Sequence, residues 1–201
     1  MASYIFQKIA QGADTRGLDI KGKSREAINW FRDTAMSVKS VNRQRFISDP
    51  ENQVTDIDKD SIGRMYSFFY DPKYKKTLPY YDMFPLIIVL GPKGNDGFLG
   101  MNLHYLPPML RARLMDSLYN TLNNEKFDST TKLQINYQLL ASAARFRYFK
   151  PCVKHYLFEH VKSKYLQIEP KFWDIALMLP TEQFVKADAG DVWDISRRMV
   201  V

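Results

Sequence analysis

The sequence predicts an α+β fold: an antiparallel or mixed sheet, for which a small barrel is one closure, with a three-helix insertion and an N-terminal helix. Three observations predict it. Segments of β composition flank a stretch of helical spacing, so the C-terminal strands return to the sheet that the middle strands begin. Hydrophobic residues make up 45% of the 201-residue chain and aromatics 14%, enough for a sizeable core and too many for a disordered chain. The single cysteine, Cys152, excludes an internal disulfide, so that core must hold the fold; this fits a reducing compartment.

Residues 1–23 show scattered glycines and charges with weak periodicity, the pattern of an arm that orders only against something else. Ser24 is placed to cap a helix running to about Val41, with Ala27, Ile28, Phe31, Ala35 and Val38 near one face. Residues 48–62 are polar and acidic and read as a linker or a long surface loop. Residues 64–70 are aromatic-rich and end at the turn Asp71-Pro72. Residues 84–90 form an apolar run suited to a strand buried on both faces. The turn signal from Gly91 to Gly97 leads into a third strand, 98–105, making a long-looped hairpin.

The period then changes. Pro107-Pro108 sets up a helix through Leu122, with Pro108 at its first position. Asp128 or Ser129 can cap a second helix to about Ala144, and Pro151 a third to about Lys164. Residues 165–168 and 173–179 read as strands, the latter ended by Pro180; Thr181 and Asp191 are each suited to cap a short terminal helix. The division expected is an N-terminal arm, helix and acidic loop over 1–63, then an α+β core domain over 64–201 carrying a basic helical insert at 107–164.

The net charge of +7 is concentrated: residues 111–164 hold ten basic and four acidic side chains. Such a field suits a polyanion, nucleic acid above all, although a merely solvated basic face has the same composition. Met1 to Ala10 lacks a basic region followed by an apolar run, so no signal peptide is expected. The longest apolar stretch, Met83 to Leu90, is far too short for a bilayer and is interrupted by Pro85, and no membrane partner is expected.

Catalytic patterns are weak. Cys152 and His155 stand three apart on the expected third helix, too few ligands for a metal site and without a group to orient the histidine. His160 falls among Val153, Tyr156, Leu157 and Val161 and reads as a core histidine; His104 is the third histidine. The triplets Asp71-Pro72-Lys73 and Glu169-Pro170-Lys171 echo metal-dependent nucleases, but a central proline opposes the regular strand such sites use. Gly94-Asn95-Asp96-Gly97 lacks the lysine and the following helix of a phosphate loop. No enzymatic activity, metal, cofactor or small-molecule substrate is expected.

The basic stretch is more informative. Arg145-Phe146-Arg147-Tyr148-Phe149-Lys150 interleaves cations for phosphates with rings able to stack on bases, or else to fill a core. With Arg111, Arg113, Lys154, Lys162 and Lys164, the cations Arg145, Arg147 and Lys150 make up the candidate DNA-binding set. Free backbone N–H groups at a helix start near Pro151 would add to it. Arg111 is unusual, because helical phase puts it inside the apolar arc of Leu114, Met115, Leu118 and Leu122, where an arginine needs a partner or a path to water.

Two strings are distinctive: Met65-Tyr66-Ser67-Phe68-Phe69-Tyr70-Asp71-Pro72-Lys73 with Lys76-Thr77-Leu78-Pro79-Tyr80-Tyr81-Asp82-Met83-Phe84-Pro85-Leu86, and Asp96-Gly97-Phe98-Leu99-Gly100-Met101-Asn102-Leu103-His104-Tyr105-Leu106-Pro107-Pro108 with Arg111-Ala112. Across residues 64–180 the chain resembles the DNA end protectors, head-completion proteins of T-even-like contractile-tailed bacteriophages. The resemblance implies a non-enzymatic virion protein, present in host cytoplasm during assembly. Its partners would be double-stranded DNA ends, shielded from exonuclease, and other virion proteins of the head-neck or tail. A structural neck, tail or baseplate component, whose basic segment meets an acidic protein, is the alternative.

Overall fold

The computed structural model describes residues 4–18, 24–122 and 147–199. Three helices come first: α1 (Tyr4–Asp14), α2 (Arg25–Met36) and α3 (Arg43–Ile47). Ser24 caps α2 as its position predicts, its hydroxyl accepting from the Ala27 amide at 3.1 Å. Ala27, Phe31 and Ala35 then recur at four-residue spacing and are buried. Residues 4–14, expected to be part of an arm that orders only against something else, form a helix packed on the chain's own core. In α1, Phe6, Ile9 and Ala13 are buried, and the Phe6 ring stacks on Phe172 at 5.0 Å. The glycine-spaced sequence hid an apolar face at positions i, i+3 and i+7.

The strands are β1 (Gln53–Val54), β2 (Met65–Ser67), β3 (Tyr81–Asp82), β4 (Leu86–Lys93), β5 (Gly97–Asn102), β6 (Val153–Leu157), β7 (Tyr165–Ile168) and β8 (Phe184–Val185). Six of them form one antiparallel sheet in the order β1-β7-β2-β4-β5-β6, and β3 pairs with β8 in a two-stranded ribbon. The larger sheet is open, with β1 and β6 at its ends, rather than closed into a barrel. Rings of Phe68, Phe98, Tyr156 and Tyr165 meet at 5.0–6.2 Å across it. Helix α4 (Pro108–Leu122) starts at the expected proline. Helices α5 (Trp173–Met178) and α6 (Ala189–Arg198) complete the fold.

Three expectations need correcting. The helix predicted from Pro151 is instead a 3-10 turn, Arg147–Cys152, followed by β6. Val153, Tyr156, Leu157 and Val161 mimic helical spacing, but pairing with β5 in the register Phe98↔Tyr156 and Gly100↔Lys154 wins. Glycine makes that pairing possible: a Cβ on Gly97 would collide with the Tyr156 carbonyl oxygen, and one on Gly100 would lie 3.2 Å from the Tyr156 ring. The apolar run 173–179 is helical through Met178, not a strand, and every residue of α5 is buried. A short, fully apolar segment carries no period to distinguish the two. Finally, Asp188 rather than Asp191 caps α6, while Thr181 caps nothing and is buried elsewhere. The second insertion helix, 128–144, lies outside the described residues.

Arg32 locks the helices together. Its guanidinium donates to Asp174 of α5 at 2.9 Å and to Asp116 of α4 at 2.7 Å. Burial opposes its charge, yet these carboxylates raise its pKa overall.

Candidate nucleic-acid interface

Residues 70–82 leave β2, turn at Asp71-Pro72 and return as β3. They face β6 across a cleft of about 340 Å³. The walls are rich in tyrosine: Tyr70, Tyr74, Tyr80, Tyr81, Tyr105 and Tyr156 all line it. Burial pushes the Tyr105 and Tyr156 hydroxyls well above the usual phenol range, so both rings stay neutral. Tyr74, by contrast, is 65% exposed and stands at the rim.

Lys154 and His155 of β6 and Lys73 of the opposite wall supply the cleft's basic side chains. Lys154 is half-buried, and its ammonium lies 4.0 Å from the centre of the Tyr105 ring, a cation–π contact. Among the described residues no carboxylate pairs with it. Burial accordingly lowers its pKa. The tyrosine-bearing wall is tethered from outside by Lys186, whose ammonium donates to the carbonyls of Lys75, Lys76 and Leu78 at 2.7, 3.0 and 2.8 Å. Lys186 itself holds a positive φ of 72°, a conformation that costs a non-glycine residue some strain.

Beneath the cleft lies a buried polar cluster. One Asp82 oxygen accepts from the amides of Phe84 and Gln183, each at 3.0 Å; the other accepts from Asn102 at 3.1 Å and contacts His104 Nδ1 at 2.7 Å. His104 Nε2 reaches the Thr181 hydroxyl at 3.1 Å, and Asn102 donates to the Tyr156 hydroxyl at 3.1 Å. Burial would raise the Asp82 pKa, but the adjacent His104 and these hydrogen bonds bring it below the ordinary carboxylate value. The sequence Asp–His–Thr has the connectivity of a hydrolytic triad. Thr181, however, is 1% exposed and does not line the cleft, so its hydroxyl meets no substrate space. The cluster joins β3, the end of β5 and the chain after α5, and thereby fixes the cleft floor.

The sequence-predicted cations divide. Lys154 is in the cleft. Lys162 and Lys164 are exposed on the neighbouring loop, which is joined to the tyrosine wall where the Lys162 amide donates to the Phe69 carbonyl at 2.8 Å and the Asp71 amide to His160 at 3.0 Å. Lys150 is exposed in the 3-10 turn before β6, Arg113 is exposed on α4, Arg147 opens that 3-10 turn, and Arg145 lies outside the described residues. Arg111 departs from the set. It is 2% exposed, and its guanidinium donates to the carbonyls of Leu106, Leu177 and His104 at 2.7, 2.9 and 3.3 Å, with the Trp193 ring 5.7 Å away. Burial lowers its pKa despite the nearby charges of Glu182 and Asp82. It braces the root of α4 and offers no donor to a surface ligand.

The other candidates also find places. Cys152 is buried, and that burial pushes its thiol up to about 12, while His155 is exposed on the strand; they are not a helical pair. His160 is partly exposed and contacts the Asp71 carbonyl at 2.8 Å and Glu159 at 3.1 Å, so it is a loop fastener rather than a core residue. Asp71 pairs with Lys75 at 2.8 Å and Glu169 with Lys171 at 2.7 Å, which engages the carboxylate of each triplet in a local ion pair. Among the described residues, no group of three or more His, Cys, Asp or Glu is placed to hold a metal ion, and no helix is long and apolar enough to cross a membrane.

Sequence reading missed the tyrosine wall and the Asp82–His104 pair. The signal available was Tyr80-Tyr81-Asp82 just ahead of an apolar strand, together with the isolated polar pair Asn102 and His104 in an apolar segment.

The model of one protein family, phage T4 terminal DNA protecting protein, matches residues 15–194. No curated protein and no solved structure matches the chain. The family match takes in nearly the whole chain, extending beyond residues 64–180 on both sides, and the chain belongs to this family.

Proposed function

We propose that this member of the phage terminal DNA protecting family binds the end of packaged double-stranded DNA, shields it from exonuclease and helps to complete the head. It would act in the virion, among other head-neck or tail proteins, after assembly in host cytoplasm. Family membership is the observation that carries the reading. The charge distribution supports it, since a DNA end demands phosphate neutralisation and no catalysis. Arg113, Arg145, Arg147, Lys150, Lys154, Lys162 and Lys164 are the proposed phosphate contacts; Arg111 is left out because its donors are engaged inside the fold.

The test is competition between open and closed DNA. Binding to linear blunt duplex should fall steeply with salt, each phosphate contact contributing about 0.9 to the log–log slope. Open ends should compete better than closed circles, and bound ends should resist a double-strand exonuclease. Equal competition by circles would remove end protection. Charge reversal at Arg147, Lys150 and Lys154 that spoiled particle assembly while sparing DNA binding would favour a structural neck or tail role instead.

A further inference from the structure

We propose that the cleft between residues 71–82 and β6 takes the terminal nucleotide of one DNA strand, frayed from the duplex, with Lys154 on its terminal phosphate and Tyr74 and Tyr81 against its base. The inference rests on the end-binding reading above and specifies how an end is told from a middle.

Size comes first. At about 340 Å³ the cleft is at the small end of ligand pockets, which run from about 300 to 1,000 Å³. It has room for one nucleotide and none for a duplex. A nucleotide within a duplex is paired, stacked and continued on both sides, so it reaches such a pocket only by being flipped out, whereas a terminal nucleotide needs one pair opened.

The lining then matches the chemistry of a nucleotide. Lys154 is a desolvated cation resting on an aromatic face with no carboxylate partner among the described residues. A phosphate would supply the missing anion where water screens weakly. Lys73 and His155 add positive or neutral donors at the rim. The one carboxylate in the lining, Asp82, has both oxygens engaged, by the amides of Phe84 and Gln183, the Asn102 side chain and His104, so it presents no free acceptor to the ligand. Tyr74 projects into solvent at the mouth and Tyr81 is half-buried behind it, and stacking on such rings accepts any base. A protector of ends needs that tolerance of sequence. The wall that carries both tyrosines is held by Lys186 on three of its carbonyls, which keeps the platform in place before DNA arrives.

Fluorescence anisotropy with the full-length protein and a blunt, 5′-phosphorylated duplex tests the proposal. Four competitors are compared: the same duplex, one with unphosphorylated ends, one with a mismatched terminal pair, and one closed by hairpin caps. A mismatch has already lost the pairing that fraying must break, so it should bind about tenfold tighter. Loss of the terminal phosphate should weaken binding. Lys154→Met and Tyr74→Ala should each reduce the preference for open over capped duplex by about tenfold, the arithmetic of one lost contact, with thermal unfolding unchanged for the exposed Tyr74. If wild-type protein binds capped and open duplex equally, end recognition itself fails. If open ends are preferred but neither the mismatch nor either variant alters that preference, the end reading stands and the cleft is overturned as its seat.

Discussion

Arg111 and Lys154 come from the same basic stretch, and the fold treats them in opposite ways. At the root of α4 the Arg111 guanidinium meets three carbonyl oxygens and an indole face. In the cleft the Lys154 ammonium meets one tyrosine ring. Both pay desolvation, and in both burial lowers the pKa. The planar, five-donor fork of arginine can satisfy several backbone acceptors at once, which suits it to bracing a structure. A half-buried lysine with an aromatic neighbour and, among the described residues, no carboxylate keeps its donors for solvent or a ligand. Charge alone groups these residues together; the company each keeps separates a structural cation from the one proposed to bind.

Breaking the structural side should give the largest effects. Arg111→Leu leaves three buried carbonyls without their donor, and at about 1–3 kcal/mol for an unsatisfied buried group the loss should reach about 3–5 kcal/mol. Urea unfolding measures it, and any loss of DNA binding should track the unfolded fraction. Asp82→Ala removes the acceptor for two amides and strips His104 of its partner, with a similar cost of about 3–5 kcal/mol. The same site has a pH signature. The Asp82 pKa is depressed in the fold, so its contribution is fully present above the unfolded value of about 3.9 and is lost as pH falls through the lower folded value. Asp82→Asn should flatten this acid-side decline in stability measured from pH 5 downwards.

Lys154→Met should sharpen the contrast. Its pKa is lowered in the fold, so folding penalises the charged form at neutral pH, and stability rises as pH climbs from the folded value towards the unfolded value of about 10.4. Removing the charge while keeping the apolar stem should therefore leave stability within about 1 kcal/mol of wild type, or slightly above it, while DNA binding falls. A loss as large as that of Arg111→Leu would show that Lys154 is structural too. Lys186→Ala should cost about 1 kcal/mol, and its clearest effect should be faster amide exchange within residues 71–80, whose carbonyls it holds. Tyr74→Ala, at an exposed rim position, should change stability by less than about 0.5 kcal/mol.

The legible parts of the fold were those with local chemistry: the Ser24 cap, the Pro108 helix start, the β4–β5 hairpin and the short strand β7. Arg111 was visible as an anomaly because helical phase is local. Strand β6 was not legible, because its identity depends on Gly97 and Gly100 some 55 residues earlier letting Tyr156 approach. Helix α5 was ambiguous because burial on all sides erases periodicity. The site suffered most from this. The phosphate site expected at a helix start dissolves with that helix, and Lys154 takes on meaning only once β6 lies opposite the tyrosines of residues 70–82, a juxtaposition made by tertiary pairing.

Photocrosslinking tests end capture in this cleft most directly. A duplex carrying 5-iododeoxyuridine at the terminal position, or at an internal one, is irradiated with the protein and the linked peptide is sequenced. Capture of the end predicts crosslinks from the terminal nucleotide to the peptides of residues 71–82 or 153–157, centred on Tyr74 and Tyr81, and none there from the internal position. Crosslinks of equal yield from both positions, or terminal crosslinks confined to residues outside these two segments, would contradict it.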